Sequence, residues 1–398
     1  MKNILLISLF FLSLITTHTV YSQAFRTTWK NTEGQIIIPT NPKLDYNYSV
    51  TWKNLTNKGV GDGNAQNQKD KYTIKNLEKN SIYEIAITGT FPHFYMKNSY
   101  QNEELRSIEE WGSIQWKSMK FTFYDCVHLT YNATDIPNLE NVKDMSYMFA
   151  HCVFLKGNIT MNNWNTSNIT DMSSMFYKAV KFNQPIGKWN TSNVTNMSTM
   201  FSDAISFDQP IGEWNTENVT DMSYMFSNAY SFDKPIGKWN TSNVVRMFRM
   251  FQDTRYFNQP IGEWNTENVT SMSAMFKSAS SFNQPLNDWN TENVTNMIFM
   301  FSDAISFDQP IGKWNTENVT DMSHMFSKAR SFNQPLNSWN TENVTNMNYM
   351  FNSATAFNQS LDNWNTLGIT NVAWMFEDSN ISKANYDAIL TNWNKAQK

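Results

Sequence analysis

The sequence predicts an α/β solenoid, a coil of short parallel strands and short helices that follows a small β-domain. Two observations predict it. A block of the type seen at residues 211–226 returns with a fixed 25-residue period, without insertion or deletion. Each block combines a short segment after a proline with apolar residues at helical spacing. A fixed period of this length is typical of repeat proteins, whose units bury their apolar faces only against their neighbours.

Tryptophan marks the repeat most clearly. Nine tryptophans follow one another at 25-residue intervals: Trp164, Trp189, Trp214, Trp239, Trp264, Trp289, Trp314, Trp339 and Trp364. Because stacked repeats place like residues above like, we expect these indoles to form one column in a single elongated body.

Each repeat is predicted to contain a strand and a helix. Residues 211–216 follow Pro210 and favour a short strand, since a proline costs the ladder nothing at a strand's first position. Thr220 is a predicted helix N-cap, with Asp221 in the first turn. The apolar residues that follow have the i, i+3, i+4, i+7 spacing of one helix face: Met222, Met225, Phe226 and Ala229.

Stacking of these units predicts which residues are buried. Strands lie about 4.8 Å apart and packed helices about 8–10 Å apart, so a helical face would make the strand side concave. The predicted buried columns contain Trp214, Val219, Met222, Met225, Phe226, Phe232 and Ile236 with their equivalents. Asn218 and its equivalents are expected to be buried too, and to bond backbone groups at a turn.

These motifs resemble a known family. The order Trp-Asn-Thr, Asn-Val-Thr-x-Met-x-x-Met-Phe and Phe-Asn-Gln-Pro is similar to the 25-residue repeat of BspA-type leucine-rich-repeat surface proteins of bacteria. The resemblance covers about residues 113–378. It implies a leucine-rich-repeat-like, right-handed coil in a secreted or surface protein that binds proteins or mediates adhesion. It transfers no catalytic residue.

The chain divides into four predicted segments. Residues 1–22 have the basic start and apolar run of a signal peptide, so we expect a secreted or bacterial cell-surface protein with no transmembrane segment after signal removal. Residues 23–105 are predicted to form a small β-rich domain, such as a sandwich, which either caps the first repeat or stands on a linker as a separate module. Its predicted strands cover 35–39, 46–52, 72–77 and 82–91.

The repeats and the end of the chain form the other two segments. Residues 106–380 are the predicted leucine-rich-repeat-like coil. Residues 381–398 are predicted to form a closing helix, with Ser382 as its N-cap and an apolar face of Tyr386, Ile389, Leu390 and Trp393.

Cys126 and Cys152 occupy equivalent positions in two early, irregular repeats, where later repeats have alanine. Two interpretations compete: a pair of small buried apolar residues, which we favour, or a disulfide, which an exported protein permits. His128 and His151 lie nearby, but the Cys-x-His and His-Cys spacings are not those of a zinc site. We predict no metal and no cofactor.

Two groups of residues break the uniformity of the repeat and are candidate ligand-binding sites. One is an acidic stripe, Glu267, Glu292, Glu317 and Glu342, in which each neighbouring pair repels by roughly 0.8 kcal/mol in water. It is either a solvated turn or a site for cationic partners or Ca²⁺. The other is a cluster of arginine and aromatic side chains, types enriched at binding hot spots: Arg246, Phe248, Arg249, Arg255 and Tyr256. Drift in a tolerant repeat is the alternative.

The predicted function is protein–protein interaction or adhesion through the repeat surface. The partner is expected to be an extracellular or host protein, and the protein a monomer. The net charge of −4 and pI near 5.8 give no electrostatic reason to expect nucleic acid. One alternative is a spacer that presents the N-terminal domain. An enzyme acting on extracellular polymers is disfavoured because no nucleophile–base set is recognisable, including around His93.

Overall fold

The computed structural model describes residues 23–396. Residues 1–22, on which the predicted signal peptide falls, and residues 397–398 lie outside the described part. The N-terminal segment forms strands β1 (Phe25–Lys30), β2 (Gln35–Ile38), β3 (Asn47–Asn54), β4 (Gly63–Gln68), β5 (Tyr72–Lys75), β6 (Ile82–Thr90) and β7 (Leu105–Glu110). A short 3-10 helix spans Asn102–Glu104. Strands β2, β3, β5 and β6 coincide with the four predicted strands.

Most of these strands join one mixed sheet. Its order is β4-β3-β6-β1-β7-β8, where β8 is Thr130–Tyr131, and β2 pairs separately with β5. The neighbours are antiparallel except β7 and β8, which are parallel. Because β8 already lies in the irregular repeats, the sheet runs directly into them. A second 3-10 helix, Ile159–Asn163, precedes the regular repeats.

The α/β solenoid prediction is wrong. Strands dominate the secondary structure, in a mixed six-stranded sheet, and the only α-helix among residues 23–396 is α1 (Lys383–Ala396). The segment predicted as a helix after Thr220 consists of consecutive turns, with i→i+3 bonds such as Met225 N–H to Met222 O (3.1 Å) and Ala229 N–H to Phe226 O (2.9 Å). The predicted strand at 211–216 is also irregular, and each repeat contributes only a single parallel bridge, such as Asp221 to Arg246.

Positive backbone φ angles explain why these turns do not become a helix. Tyr224 and Asn228 both have φ of 58°, and the equivalent residues of the other repeats share this conformation. A positive φ at the third turn position is a feature of type II turns and is incompatible with a continuing right-handed helix. Thr220 is therefore not an N-cap; its hydroxyl donates to Thr195 O in the preceding repeat (3.2 Å).

The turns leave alternate amides free to bond the next repeat. The N–H groups of Met222, Tyr224, Phe226 and Asn228 donate to the carbonyls of Arg246, Phe248, Met250 and Gln252 at 2.8–3.0 Å. The same connections recur along residues 115–378, which we call the repeat stack. In this part of each repeat the amides all point toward the next repeat and the bonded carbonyls toward the previous one.

This ladder keeps all buried columns at similar spacing. Ring centroids of neighbouring repeats lie 5.8 Å apart for Phe201 and Phe226 and 6.4 Å apart for Trp189 and Trp214. These columns are closer than the separation of about 8–10 Å that packed helices require, so the argument for a concave strand side no longer applies. The predicted apolar columns are buried, with Trp214 at 3% exposure and Met222, Phe226 and Phe232 at 0%.

Polar side chains add bonds between repeats. The Trp214 indole N–H donates to Ile186 O (3.2 Å), the buried Thr216 hydroxyl to Asn240 O (2.8 Å), and the Asn218 amide to Ser192 O (2.7 Å). Asn218 thus bonds a backbone carbonyl as predicted, although it is exposed rather than buried.

The first repeat receives its missing donors from the N-terminal segment. His93 Nε2 donates to Lys120 O (2.7 Å), and the Asn102 amide donates to Tyr124 O (2.8 Å). The corresponding carbonyls in the next repeat, Ser146 and Ala150, accept backbone amides instead. His93 is buried and its Nδ1 accepts from the Asn41 amide (3.2 Å), so the imidazole is neutral.

Helix α1 packs beside the last repeat. Ser382 Oγ accepts a hydrogen bond from the backbone N–H of Asn385 (3.2 Å), as an N-cap does. Ile389 of the helix is buried. Tyr386 contacts Phe376 edge to face, while Tyr386 and Leu390 remain partly exposed. Within residues 23–396, the outward amides of the last repeat, at Val372, Trp374, Phe376 and Asp378, have no acceptor.

Replacing Trp264 by Phe should destabilise the repeat stack by about 2–4 kcal/mol, because it leaves a cavity and removes the donor to Ile236 O (3.2 Å). Urea denaturation followed by circular dichroism measures the change. The exposed neighbour Glu263, replaced by Gln, is the control and should change stability by less than about 0.5 kcal/mol. Equal stability of both variants would contradict the stacking argument.

His93 should make stability depend on pH. Burial lowers its pKa from 6.5 to about 4, so between these values the unfolded chain binds a proton that the folded chain does not. The free energy of unfolding should therefore fall as the pH falls through this window, by up to about 3 kcal/mol. Urea titrations at pH 7 and pH 4.5 measure how far the free energy of unfolding falls in the parent and in His93→Gln. The difference between these two decreases is the contribution of His93. A parallel pH dependence in the two proteins would exclude it.

Candidate binding surface

The interior of the repeat stack is filled by repeated apolar columns, so ligand contacts must come from its outer side chains. The cluster predicted around residues 246–256 is on this outer surface. Arg246 and Arg249 are exposed, Phe248 is half-buried and Tyr256 is 65% exposed. Burial of Phe248 and Tyr256 would have argued against a binding role, and neither is buried.

The first part of the cluster is ordered by the preceding repeat. Arg246 Nε bonds Asp221 Oδ2 (2.8 Å), and Phe248 meets the Tyr224 ring edge to face, with centroids 5.2 Å apart. The Arg249 guanidinium lies over the Tyr224 ring, 5.4 Å from its centroid. A cation over an aromatic face gains about 0.5–1 kcal/mol at exposed sites. Arg249 has no ion-pair partner in the described part of the chain.

The second part lies at the next turn of the same repeat. The Arg255 guanidinium lies over the Tyr230 ring, 4.8 Å from its centroid, and Tyr256 projects beside it. No salt bridge neutralises Arg255 among residues 23–396. The cluster therefore presents two arginines that are positioned by tyrosines but keep their capacity for a partner.

Tyr224 and Tyr230 are members of this surface that the sequence analysis missed. Each precedes the arginine it supports by one repeat period. Aligning the variable positions column by column, rather than only the recurring ones, would have found both.

Another variable column occupies the first of the two positive-φ positions in each repeat, the position of Tyr224. Several of its rings stack on the surface, at 4.4 Å for Phe299 and His324, 4.7 Å for His324 and Tyr349, and 5.1 Å for Tyr349 and Trp374. We call this the outer column; Tyr224 and Arg249 belong to it. Stacking on neighbouring rings offsets the strain of holding a bulky residue at positive φ.

The acidic stripe lies on a different turn. Glu267, Glu292, Glu317 and Glu342 are all exposed. Neither a salt bridge nor a hydrogen bond joins these carboxylates to the arginine cluster within the described residues. The turn below them is held by backbone bonds, such as Glu292 N–H to Asn290 Oδ1 (3.0 Å), so the carboxylates themselves are free to meet solvent or a cation.

The two cysteines are buried and unbonded. Cys152 donates to Phe123 O (3.0 Å), and burial raises the pKa of both thiols. A buried thiol of raised pKa is a poor nucleophile and a poor metal ligand. The nearby imidazoles pack on other rings, His128 on Phe154 and His151 on Tyr177. No group of three or more metal-ligand side chains occurs among residues 23–396.

The fold and this surface define a repeat protein in which the interior is uniform and individual outer columns vary. A family described as "Mycoplasma protein of unknown function, DUF285" matches residues 94–162, 154–253, 209–304, 231–330 and 285–393. Together these segments cover more than half of the 398 residues, and the chain belongs to this family. No curated protein matches the sequence significantly. Between residues 23 and 396 no helix has the length and hydrophobicity needed to cross a membrane.

If the acidic stripe binds cations, replacing Glu267, Glu292, Glu317 and Glu342 together by Gln should abolish binding of a basic peptide such as oligolysine. The same change should raise stability slightly, because about 0.8 kcal/mol of repulsion per neighbouring pair disappears. Biolayer interferometry at low and physiological salt measures the binding. Unchanged binding would show that the stripe is only a solvated turn.

Proposed function

We propose that this protein is a secreted or cell-surface repeat protein that binds another protein through the outer surface of the repeat stack. The observation that supports this most is the arginine and tyrosine cluster at residues 246–256. In this one repeat, five outer positions together carry arginine or aromatic side chains, the types that are typical of binding hot spots.

The chemistry of the cluster suits a protein partner with acidic and apolar groups. Arg249 and Arg255 offer forked donors for carboxylates, and their tyrosine supports reduce the rotamer entropy that binding would otherwise cost. Tyr256 and Phe248 add apolar area beside them. The partner is expected to be an extracellular or host protein.

A closer relationship to BspA-type surface proteins is part of the same proposal. It is supported by the motif Trp-Asn-Thr followed by Asn-Val-Thr-x-Met-x-x-Met-Phe, which recurs with the 25-residue period. Adhesion is the role that this resemblance suggests. The apolar start of the chain supports export.

The repeats supply variants that should leave the fold unchanged. Other repeats have Asn296 where this one has Arg246, Ser273 for Phe248, Ser280 for Arg255 and Ser281 for Tyr256. The fourfold variant Arg246→Asn, Phe248→Ser, Arg255→Ser, Tyr256→Ser therefore places at each position a residue already accommodated in the stack. We expect it to fold normally. If at least two of the four replaced residues are hot spots, its affinity for the partner should fall by at least about 100-fold.

The experiment compares immobilised parent and variant chains in a pull-down from extracellular proteins, with quantitative mass spectrometry. A control variant carries Glu217→Ser, which copies Ser192 and Ser242 of the same column on another turn. Proteins retained by the parent and the control but not by the fourfold variant would support the proposal. Identical retention by all three would favour a spacer that presents the N-terminal segment.

A further inference from the structure

The outer column has a gap. Reading along it, Tyr147 is followed by the small residues Ser174 and Thr199, and then by Tyr224. Tyr147 and Tyr224 are three repeats apart, or about 14 Å at the spacing of paired strands. Arg249 covers one face of the Tyr224 ring, and the short Thr199 side chain cannot cover the other. The gap therefore exposes an aromatic face above a small polar residue.

A shallow depression lies over this gap. Its lining includes Tyr177, Thr199, Asp203, Tyr224, Asn228 and Arg249, and its volume is about 320 Å³. This is near the lower end of the range of small-ligand sites, about 300–1,000 Å³. Ser202 and Ser227, both buried, complete the floor. We call this depression the Thr199 trough.

The polar groups of the trough keep unused hydrogen-bonding capacity. Asp203 accepts only a long bond from Ser202 Oγ (3.4 Å), and neither Asp203 nor Arg249 forms a salt bridge within the described residues. Gln252 also lines the trough, and its Oε1 lies buried beneath the surface without a hydrogen-bond partner. One anionic and one cationic group face the same space, so their charges balance.

We infer that the Thr199 trough binds a neutral oligosaccharide built from β-1,4-linked pyranoses with equatorial hydroxyls. The apolar C–H face of such a ring packs on the free face of Tyr224. Its hydroxyls, which both donate and accept, bond Asp203, Asn228 and Arg249 at the rim. This site is separate from the protein-binding cluster, except that Tyr224 and Arg249 belong to both.

Other ligand classes fit the trough less well. A phosphate or a carboxylated sugar would meet the Asp203 carboxylate, which has no cationic partner of its own among the described residues. An apolar side chain of a protein would leave Asp203 and Asn228 unpaired beneath it, at a cost for each desolvated group. A neutral polyol with one apolar face satisfies both requirements.

The decisive variant fills the gap. Thr199→Tyr inserts a side chain that the outer column already holds at Tyr224 and Tyr349, so it should stack on Tyr224 and occupy the sugar position while the fold is retained. The matched control is His324→Tyr, which puts the same side chain into the same column, four repeats beyond Tyr224 and outside the trough. Asp203→Asn copies Asn228, the equivalent residue of the next repeat, and tests the carboxylate.

Isothermal titration of the purified chain with cellohexaose and with chitohexaose measures binding. We expect a dissociation constant of about 0.1–1 mM for at least one of them. Thr199→Tyr should weaken it by at least about 30-fold and Asp203→Asn by about 5- to 10-fold, while His324→Tyr leaves it unchanged. Circular dichroism confirms that each variant is folded.

Several results would overturn the inference. These are absence of heat with both sugars up to about 10 mM, undiminished binding by folded Thr199→Tyr, or tighter binding of hexagalacturonate than of either neutral sugar. The protein pull-down uses different variants and a different readout. Failure of the sugar titration and failure of the protein-binding proposal can therefore be told apart.

Discussion

The polar ladder between neighbouring repeats is the interaction on which the rest of the structure depends. Amides of alternate residues, such as Tyr224 and Phe226, all bond carbonyls of the following repeat. This is possible only because residues such as Tyr224 and Asn228 adopt positive φ and redirect the chain within each turn. The ladder then sets one spacing for every column, and the apolar side chains stack ring on ring in the interior.

A ladder with one direction has two unlike ends. At the first repeat it leaves carbonyls, and the N-terminal segment covers them with the His93 ring and the Asn102 amide. The N-terminal sheet also continues into the repeats through the parallel pair β7–β8. The N-terminal segment therefore stabilises the stack by hydrogen bonding as well as by apolar burial, and the neutral state of His93 is part of that contact.

Much of this architecture could be predicted from the sequence, but several elements could not. The period, the buried columns and strands β2, β3, β5 and β6 follow from spacing and residue type. The predicted helix was wrong because consecutive i→i+3 turns bury Met222, Met225, Phe226 and Ala229 just as a helix face would. The discriminating signal is positive φ, and here it falls on residues such as Tyr224 and Arg249 rather than on glycine. Strands β1, β4 and β7 were not predicted, and β4 was missed because its sequence, Gly-Asn-Ala-Gln-Asn-Gln, is polar. At the surface, Arg246 to Tyr256 could be recognised from composition, but their tyrosine supports and the Thr199 trough become visible only when the columns are aligned in space.

The backbone bonds between neighbouring repeats are the same throughout the stack, and this affects how such a gene can change in evolution. Any repeat between the first and the last regular one accepts bonds from the backbone amides of the previous repeat and donates to the backbone carbonyls of the next. Gain or loss of one whole repeat therefore keeps the backbone ladder between the remaining repeats intact, whereas a shift of a single residue disrupts it along the whole stack. Length should consequently vary among related chains in whole steps of the period, and a new surface pattern can be tried in a duplicated unit while the older copies keep the body folded.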